Sequence, residues 1–176
     1  MKVAITGHTK GIGRAIADLY PDCLGFSRTN GYDISNSNNR TTIISESADC
    51  DVFINNAHYL NYQILMFEEI FDAWRNNKNK TIVNICSRVV YEDHNKSSYN
   101  REKSSLSSLS NPGDNYNRSC RLININPGWV ATDRVPEAWL IQQNYPYITA
   151  QECAKYVKWA IDQDLEIGEL SFWRSK

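Results

Sequence analysis

Hydrophobic positions along this chain come in two periods, and their alternation predicts its architecture. Short apolar runs, each broken at most once, stand at Val3-Ala-Ile5, Cys23-Leu-Gly-Phe26, Val52-Phe-Ile54, Ile82-Val-Asn-Ile85 and Leu122-Ile-Asn-Ile125. Runs of that length suit strands buried on both faces of a parallel sheet. Between them the period lengthens to that of a helix. Ile12, Ile16 and Leu19 are helically spaced and stop before Pro21, while Ile64, Leu65, Phe67, Ile70, Phe71 and Trp74 make a wide apolar face on a helix over 60–75. Ser35 is placed to cap a helix reaching about Ala48, and Thr149 to cap one over 150–162. Further helices are predicted over 98–109 and 135–144, a very short strand at Tyr32-Asp-Ile34, and a last edge strand over 168–173. Asn111-Pro-Gly-Asp114 is turn chemistry. Strand and helix alternating from end to end predict an α/β fold: a doubly wound parallel sheet of about seven strands, helices on both faces, right-handed crossovers.

Composition narrows the partners more than it suggests them. With 176 residues, a single domain over 1–176 is expected. The net charge is −1, and no stretch gathers enough Lys or Arg to track a phosphate backbone, so nucleic acid is not an expected partner. The five cysteines are scattered, odd in number and free of any C-x-x-C pair, which fits a reducing compartment. The apolar run after Met1-Lys2 is too short for a signal-peptide core, and no segment is long enough to span a bilayer. A soluble, cytoplasmic protein with no membrane partner is the expectation. No Cys, His and Asp cluster has metal-ligand spacing, so no catalytic metal is expected, and no G-x-S-x-G elbow is present.

The chemistry-bearing residues sit where strands end. After the first strand, Thr6-Gly-His-Thr-Lys-Gly-Ile-Gly13 passes straight into a helical pattern. Glycines there let backbone approach a pyrophosphate, and the N–H groups of the helix start supply partial positive charge. Asn55, Asn56 and Ala57 leave the C-terminal end of another strand, the edge at which open α/β sheets bind ligands. Tyr99-Asn-Arg-Glu-Lys103 opens a predicted helix, so the phenol and ammonium, four residues apart, share a face. A neighbouring cation favours the phenolate and is expected to lower the Tyr99 pKa, preparing it for proton transfer near neutrality.

Taken in order, these stretches resemble the short-chain dehydrogenase/reductase family, and the resemblance runs from Lys2 to about Trp173. The first loop resembles the family's TGxxxGxG, Asn55-Asn-Ala57 its NNAG, Tyr99 to Lys103 its YxxxK, and Asn126-Pro-Gly-Trp-Val-Ala-Thr132 its PG-x-x-x-T. The chain is shorter than ordinary members, and His58 stands where NNAG has its last Gly. The resemblance implies a Rossmann-like fold, a nicotinamide cofactor, and catalysis by Tyr99 as general acid or base. Ser87, in the place of the family's catalytic Ser, would hydrogen-bond the substrate oxygen, and Lys103 would bond the nicotinamide ribose. Asn61 is the candidate for the Asn that relays protons to the Lys, and it reads equally well as a helix N-cap.

By the same resemblance, Gly7, Thr9, Lys10, Gly11, Ile12 and Gly13 would carry the pyrophosphate. Asn55, Asn56 and Ala57 would lie at the adenosine ribose, and Pro127, Gly128, Val130 and Thr132 at the nicotinamide. Lys10 and Arg28 sit where a 2′-phosphate wants cations, which favours NADP(H), with NAD(H) as the alternative. Asp33, 20 residues after Gly13, would serve an NAD enzyme as ribose ligand; with Ile34 it is assigned instead to the adenine edge. The expected substrate is a small carbonyl compound or alcohol in a pocket roofed by 88–96 and 134–147, with Tyr91, Trp129, Trp139 and Tyr145 as candidate lining. The expected assembly is a homodimer or homotetramer. Two other functions remain open: a dinucleotide sensor or scaffold without turnover, and a sugar-nucleotide epimerase, for which a long C-terminal substrate domain is missing.

Overall fold

A computed structural model describes residues 1–93, 96–111, 113 and 117–175. In chain order the elements are β1 (Val3–Thr6), α1 (Gly11–Ala17), β2 (Leu24–Phe26), α2 (Ser37–Glu46), β3 (Val52–Asn55), α3 (Tyr62–Trp74), β4 (Thr81–Ile85), α4 (Ser98–Leu109), β5 (Arg121–Pro127), β6 (Val130–Ala131), α5 (Glu137–Gln142), β7 (Ile148–Thr149), α6 (Ala150–Asp162) and β8 (Glu169–Phe172). Six strands form one parallel sheet in the order β2-β1-β3-β4-β5-β8. Strand order reverses beside β1, the arrangement of a Rossmann-like doubly wound fold. β6 and β7 form a separate parallel pair over the C-terminal ends of the sheet strands.

Side-chain alternation assigns each strand residue to one of two cores. Val3, Ile5, Val52, Ile54, Val83, Ile85, Ile123 and Ile125 pack with α1 and α6 residues such as Ile16, Ala154 and Val157. Ala4, Phe53, Ile82 and Leu122 face the other way, against Ile43 of α2, Met66, Phe67, Ile70 and Trp74 of α3, and Leu106 of α4. Thr149 caps α6 as expected, its Oγ1 accepting from Glu152 N while the Glu152 carboxylate accepts from Thr149 N. Ser97 caps α4 with a single backbone bond, its Oγ accepting from Asn100 N at 3.1 Å.

Three differences from expectation have local causes. The strand expected at 32–34 does not form, and the main sheet has six strands rather than about seven. A parallel neighbour needs a crossover of roughly a dozen residues or more, and the chain leaves Phe26 through a single 3-10 turn, Arg28–Asn30. The backbone at 32–34 is used locally instead: Ser35 N and Oγ donate to Asp33, and Arg40 Nη1 donates to Ile34 O at 2.8 Å. The cap of α2 is Asn36 rather than Ser35, its Oδ1 accepting from Asn38 N and Asn39 N. The pairing of β6 with β7 is visible in no local pattern, because it joins two dipeptides of which only one, Ile148–Thr149, precedes a helix. Residues 112 and 114 of the predicted turn, and 94 and 95 of the predicted roof, lie outside the described residues.

Candidate active site

Two groups of residues gather at the C-terminal ends of β1, β3, β4 and β5. The first surrounds the glycine bend. Thr6 Oγ1 accepts from Asn56 N and Ala57 N at 3.1 and 3.0 Å, and Asn56 Nδ2 donates to Thr6 O and Gly7 O. That welds the bend to the loop leaving β3. A Cβ on Gly13 would lie 2.1 Å from Gly7 O, so no larger residue fits the first turn of α1 there. Gly11 has φ +53°, a conformation that disfavours side chains, and faces Thr132 at 3.3 Å from an added Cβ. Gly7, Gly11, Gly13, Asn56, Ala57 and Thr132, far apart in sequence, are therefore gathered at one bend.

The bend offers the donors that a dinucleotide pyrophosphate would take. Among the described residues, the first backbone N–H after Gly7 to reach a protein acceptor is that of Arg14, to Lys10 O at 3.2 Å. The intervening N–H groups, with the start of α1, are the donors an anion needs. His8 Nδ1 is also buried without a protein partner at the same bend, its ring against Gly25. Thr9 and Ile12 are half-buried around the loop, and Lys10 is exposed at its end. Arg28 is exposed just after β2. Asp33 is held by Ser35, which with the nearby Arg28 keeps its carboxyl below the usual carboxylate range. Ile34 is buried in the core beside Phe53 and Phe26.

Not every expected cofactor residue faces this bend. Asn55 is fully buried, and its Nδ2 donates to Gln63 O and to Asn84 Oδ1 at 2.9 and 3.0 Å. Strand alternation turns it toward α3, so it braces the site from below instead of lying at a ribose. Pro127 and Val130 are buried, and Gly128 N donates to Phe172 O, which ties this turn to β8.

The second group comes from β4 and α4. Ser87, just beyond β4, lies close enough to the Tyr99 phenol for its hydroxyl to draw the phenol pKa down. Lys103, one turn along α4, is buried, its Nζ 5.7 Å from the Tyr99 ring centre. That ammonium donates to Gln63 Oε1 at 2.7 Å and Ile85 O at 2.8 Å. Burial lowers its pKa to about 8. Contrary to the sequence expectation, the Tyr99 pKa is raised, chiefly by desolvation, which outweighs the opposing effects of Ser87 and Arg134. Lys103 spends its charge on Gln63 and the Ile85 carbonyl. The phenol is therefore protonated at neutral pH.

The residue that meets Lys103 from α3 is Gln63, not Asn61. Asn61 is exposed, and its side chain makes no capping bond. Gln63 is 1% exposed, accepts from Lys103, and donates through Nε2 to Asn55 O and Ile85 O. A signal for it existed: Gln63, Met66, Phe67 and Ile70 keep i, i+3, i+4, i+7 spacing, so a lone polar residue opens the buried stripe.

His58 turns toward α4. Its Nε2 lies 2.8 Å from Glu102 Oε2, and its ring meets Tyr99 edge to face with centres 5.2 Å apart. Of the four candidate lining aromatics, Trp129, Trp139 and Tyr145 form one cluster with ring centres 5.0–5.8 Å apart. Tyr91 is tied elsewhere, by hydrogen bonds to Glu169, Ser171 and Asn126. Cys86, beside Ser87, is buried, and desolvation pushes its thiol to about 12, which leaves it a packed thiol and not a nucleophile. Among the described residues, no three His, Cys, Asp or Glu side chains form a metal-binding group.

No family model matches the chain, and no curated protein matches it in sequence. Solved structures match its fold along nearly its whole length. The 3-alpha-hydroxysteroid dehydrogenase of Pseudomonas sp. B-0831, complexed with NADH, superimposes with a TM-score of 0.77 at 16% identity, covering 97% of this chain and 94% of that one. An alcohol dehydrogenase from the archaeon Thermococcus sibiricus, complexed with 5-hydroxy-NADP, gives 0.76 at 18%, covering 100% and 99%. The serine dehydrogenase of Escherichia coli gives 0.73 at 16%, covering 99% and 98%.

Proposed function

Starting from the short-chain dehydrogenase/reductase fold, which this chain has throughout, we propose that it is an NADP(H)-dependent oxidoreductase acting on a small carbonyl compound or alcohol. The observation that carries this reading is the convergence of the Ser87 hydroxyl, the Tyr99 phenol and the Lys103 ammonium at the same end of the sheet as the glycine bend. When bound, the nicotinamide supplies or takes the hydride. Tyr99, protonated at neutral pH, gives its proton to the carbonyl oxygen, so the site enters ready for reduction. Ser87 donates a hydrogen bond to the same oxygen and stabilises its growing negative charge. Lys103, held by Gln63 and Ile85 O, stands one helical turn away to bond ribose hydroxyls and return the proton to Tyr99.

Gly7, Thr9, Gly11, Ile12 and Gly13 would hold the pyrophosphate, Asn56 and Ala57 the adenosine ribose, and Val130 and Thr132 the carboxamide. Exposed Lys10 and Arg28 support a 2′-phosphate, and the engagement of the Asp33 carboxylate by Ser35 speaks against its serving a free ribose hydroxyl. A homodimer or homotetramer belongs to the same reading. Exposed Tyr156, Trp159 and Trp173 along α6 and β8 support it, whereas Phe67, Ile70 and Trp74 of α3 are buried within the chain's own core.

A panel of aldehydes and ketones with NADPH, run beside NADH and followed by cofactor absorbance, tests the proposal. Turnover with NADPH is expected, falling about 10²- to 10⁴-fold in Tyr99→Phe while the variant still binds dinucleotide. Dinucleotide binding with no turnover of any substrate would make the chain a sensor or scaffold instead.

A further inference from the structure

We propose that His58 is a positioning residue for Tyr99, and that Glu102 holds His58 in place and also acts on Tyr99 directly. The inference rests on the reading of Tyr99 as proton donor, and adds a pair to that site. Glu102 and Lys103 flank Tyr99 along α4, at i+3 and i+4, so the phenol has a carboxylate on one side and an ammonium on the other. His58 comes from the loop after β3. The two side chains are only 20% and 17% exposed, and they meet at 2.8 Å. The bond thus pins the β3 loop to α4 at the point where Tyr99 emerges. The imidazole then stands edge to face with the phenol ring, 5.2 Å between centres and 79° between planes. Tyr99 keeps 40% of its surface exposed, and this ring closes one side of it.

The charges around the pair fix its protonation. Burial and Lys103 hold the His58 pKa below its ordinary value, Arg134 adds to that, and only Glu102 opposes them. A neutral imidazole beside an ionised carboxylate has one bonded arrangement: Nε2–H donates and Nδ1 keeps its lone pair. Glu102 thereby fixes both the tautomer and the plane of the ring. It also raises the Tyr99 and Lys103 pKa values, a single negative charge set against Lys103 and Arg134.

Two measurements decide the proposal, one independent of any substrate. Tyrosine labelled with ¹³C at Cζ is titrated by NMR, the Tyr99 signal being identified by its loss in Tyr99→Phe. The Tyr99 midpoint is expected to move to lower pH in Glu102→Gln and Glu102→Ala; an unmoved midpoint in both overturns the coupling. With a substrate from the panel, kcat is expected to fall roughly three- to ten-fold in His58→Leu, and as much in Glu102→Ala. The double variant should fall no further, and Glu102→Gln, whose amide oxygen still accepts from Nε2–H, should restore most of the rate at neutral pH. Full kcat in His58→Leu, or additive losses in the double variant, overturns the positioning role. If no carbonyl is turned over, the proposed function fails, and the titration still reads out the pair.

Discussion

The two faces of the sheet are built from the same strands and held together by different physics. On the α1 and α6 side, the buried residues of β1, β3, β4 and β5 are mostly aliphatic, from Val3 to Ile125, closed by alanines, Val157 and Cys153, and Arg121 at the start of β5 donates to the Ala160 and Ile161 carbonyls of α6. On the α3 and α4 side the same strands place Asn55, Asn84 and Asn124 opposite one another in register. Asn55 Nδ2 donates to Asn84 Oδ1, Asn84 Nδ2 reaches Asn124 Oδ1 at 3.4 Å, and Ser110 Oγ donates to Asn124 from the end of α4. Gln63 joins this row to Lys103. The dry face holds the sheet together, and the polar row fixes how α3 and α4 sit on it, which sets where Tyr99 and Lys103 point. Burying amides adds little stability for its area, because each protein hydrogen bond replaces one to water. What such a row gains is geometry, since a slipped register leaves buried donors unpaired.

Substitutions on each face break or sharpen this contrast. The largest effect is expected on the dry face: Ile123→Ala, fully buried, should cost about 2–5 kcal/mol in denaturant unfolding. A smaller one comes from Lys103. The folded chain releases its proton near pH 8 and the unfolded chain near 10.5, so between those values the unfolded state holds more protons and stability rises with pH. Unfolding measured across that window should show wild type gaining up to about 3 kcal/mol relative to Lys103→Met; parallel curves would mean that the ammonium is not desolvated. The smallest is Asn84→Leu, at about 1–2 kcal/mol, because each neighbour keeps a second bond, Asn55 to Gln63 O and Asn124 to Ser110. A loss for Asn84→Leu equal to that for Ile123→Ala would erase the distinction between the faces.

Much of the site was legible because its motifs are local. Glycines at 7, 11 and 13 between a strand and a helix, Tyr99 and Lys103 one turn apart, Ser87 at a strand end and Thr149 before α6 are all short-range patterns, and the fold places them as those patterns require. Asn61 was carried over from the family pattern, and that pattern does not show which α3 residue meets Lys103; Gln63 does. The missing strand at 32–34 likewise looked like its neighbours, since short apolar stretches do not reveal whether a crossover can reach the sheet.

Sequence alone determined the alternation of strand and helix, the ends at which chemistry would appear and the residue types available there, because these follow from backbone period and turn preference. Tertiary structure decided the rest. The Asn row exists only through strand register, and the His58–Glu102 bond joins residues 44 apart in sequence. The rise of the Tyr99 pKa, where a nearby lysine promised a fall, depends on how much water packing removes from the phenol. Desolvation and long-range pairing are sums over neighbours, and the neighbours are chosen only when the chain folds.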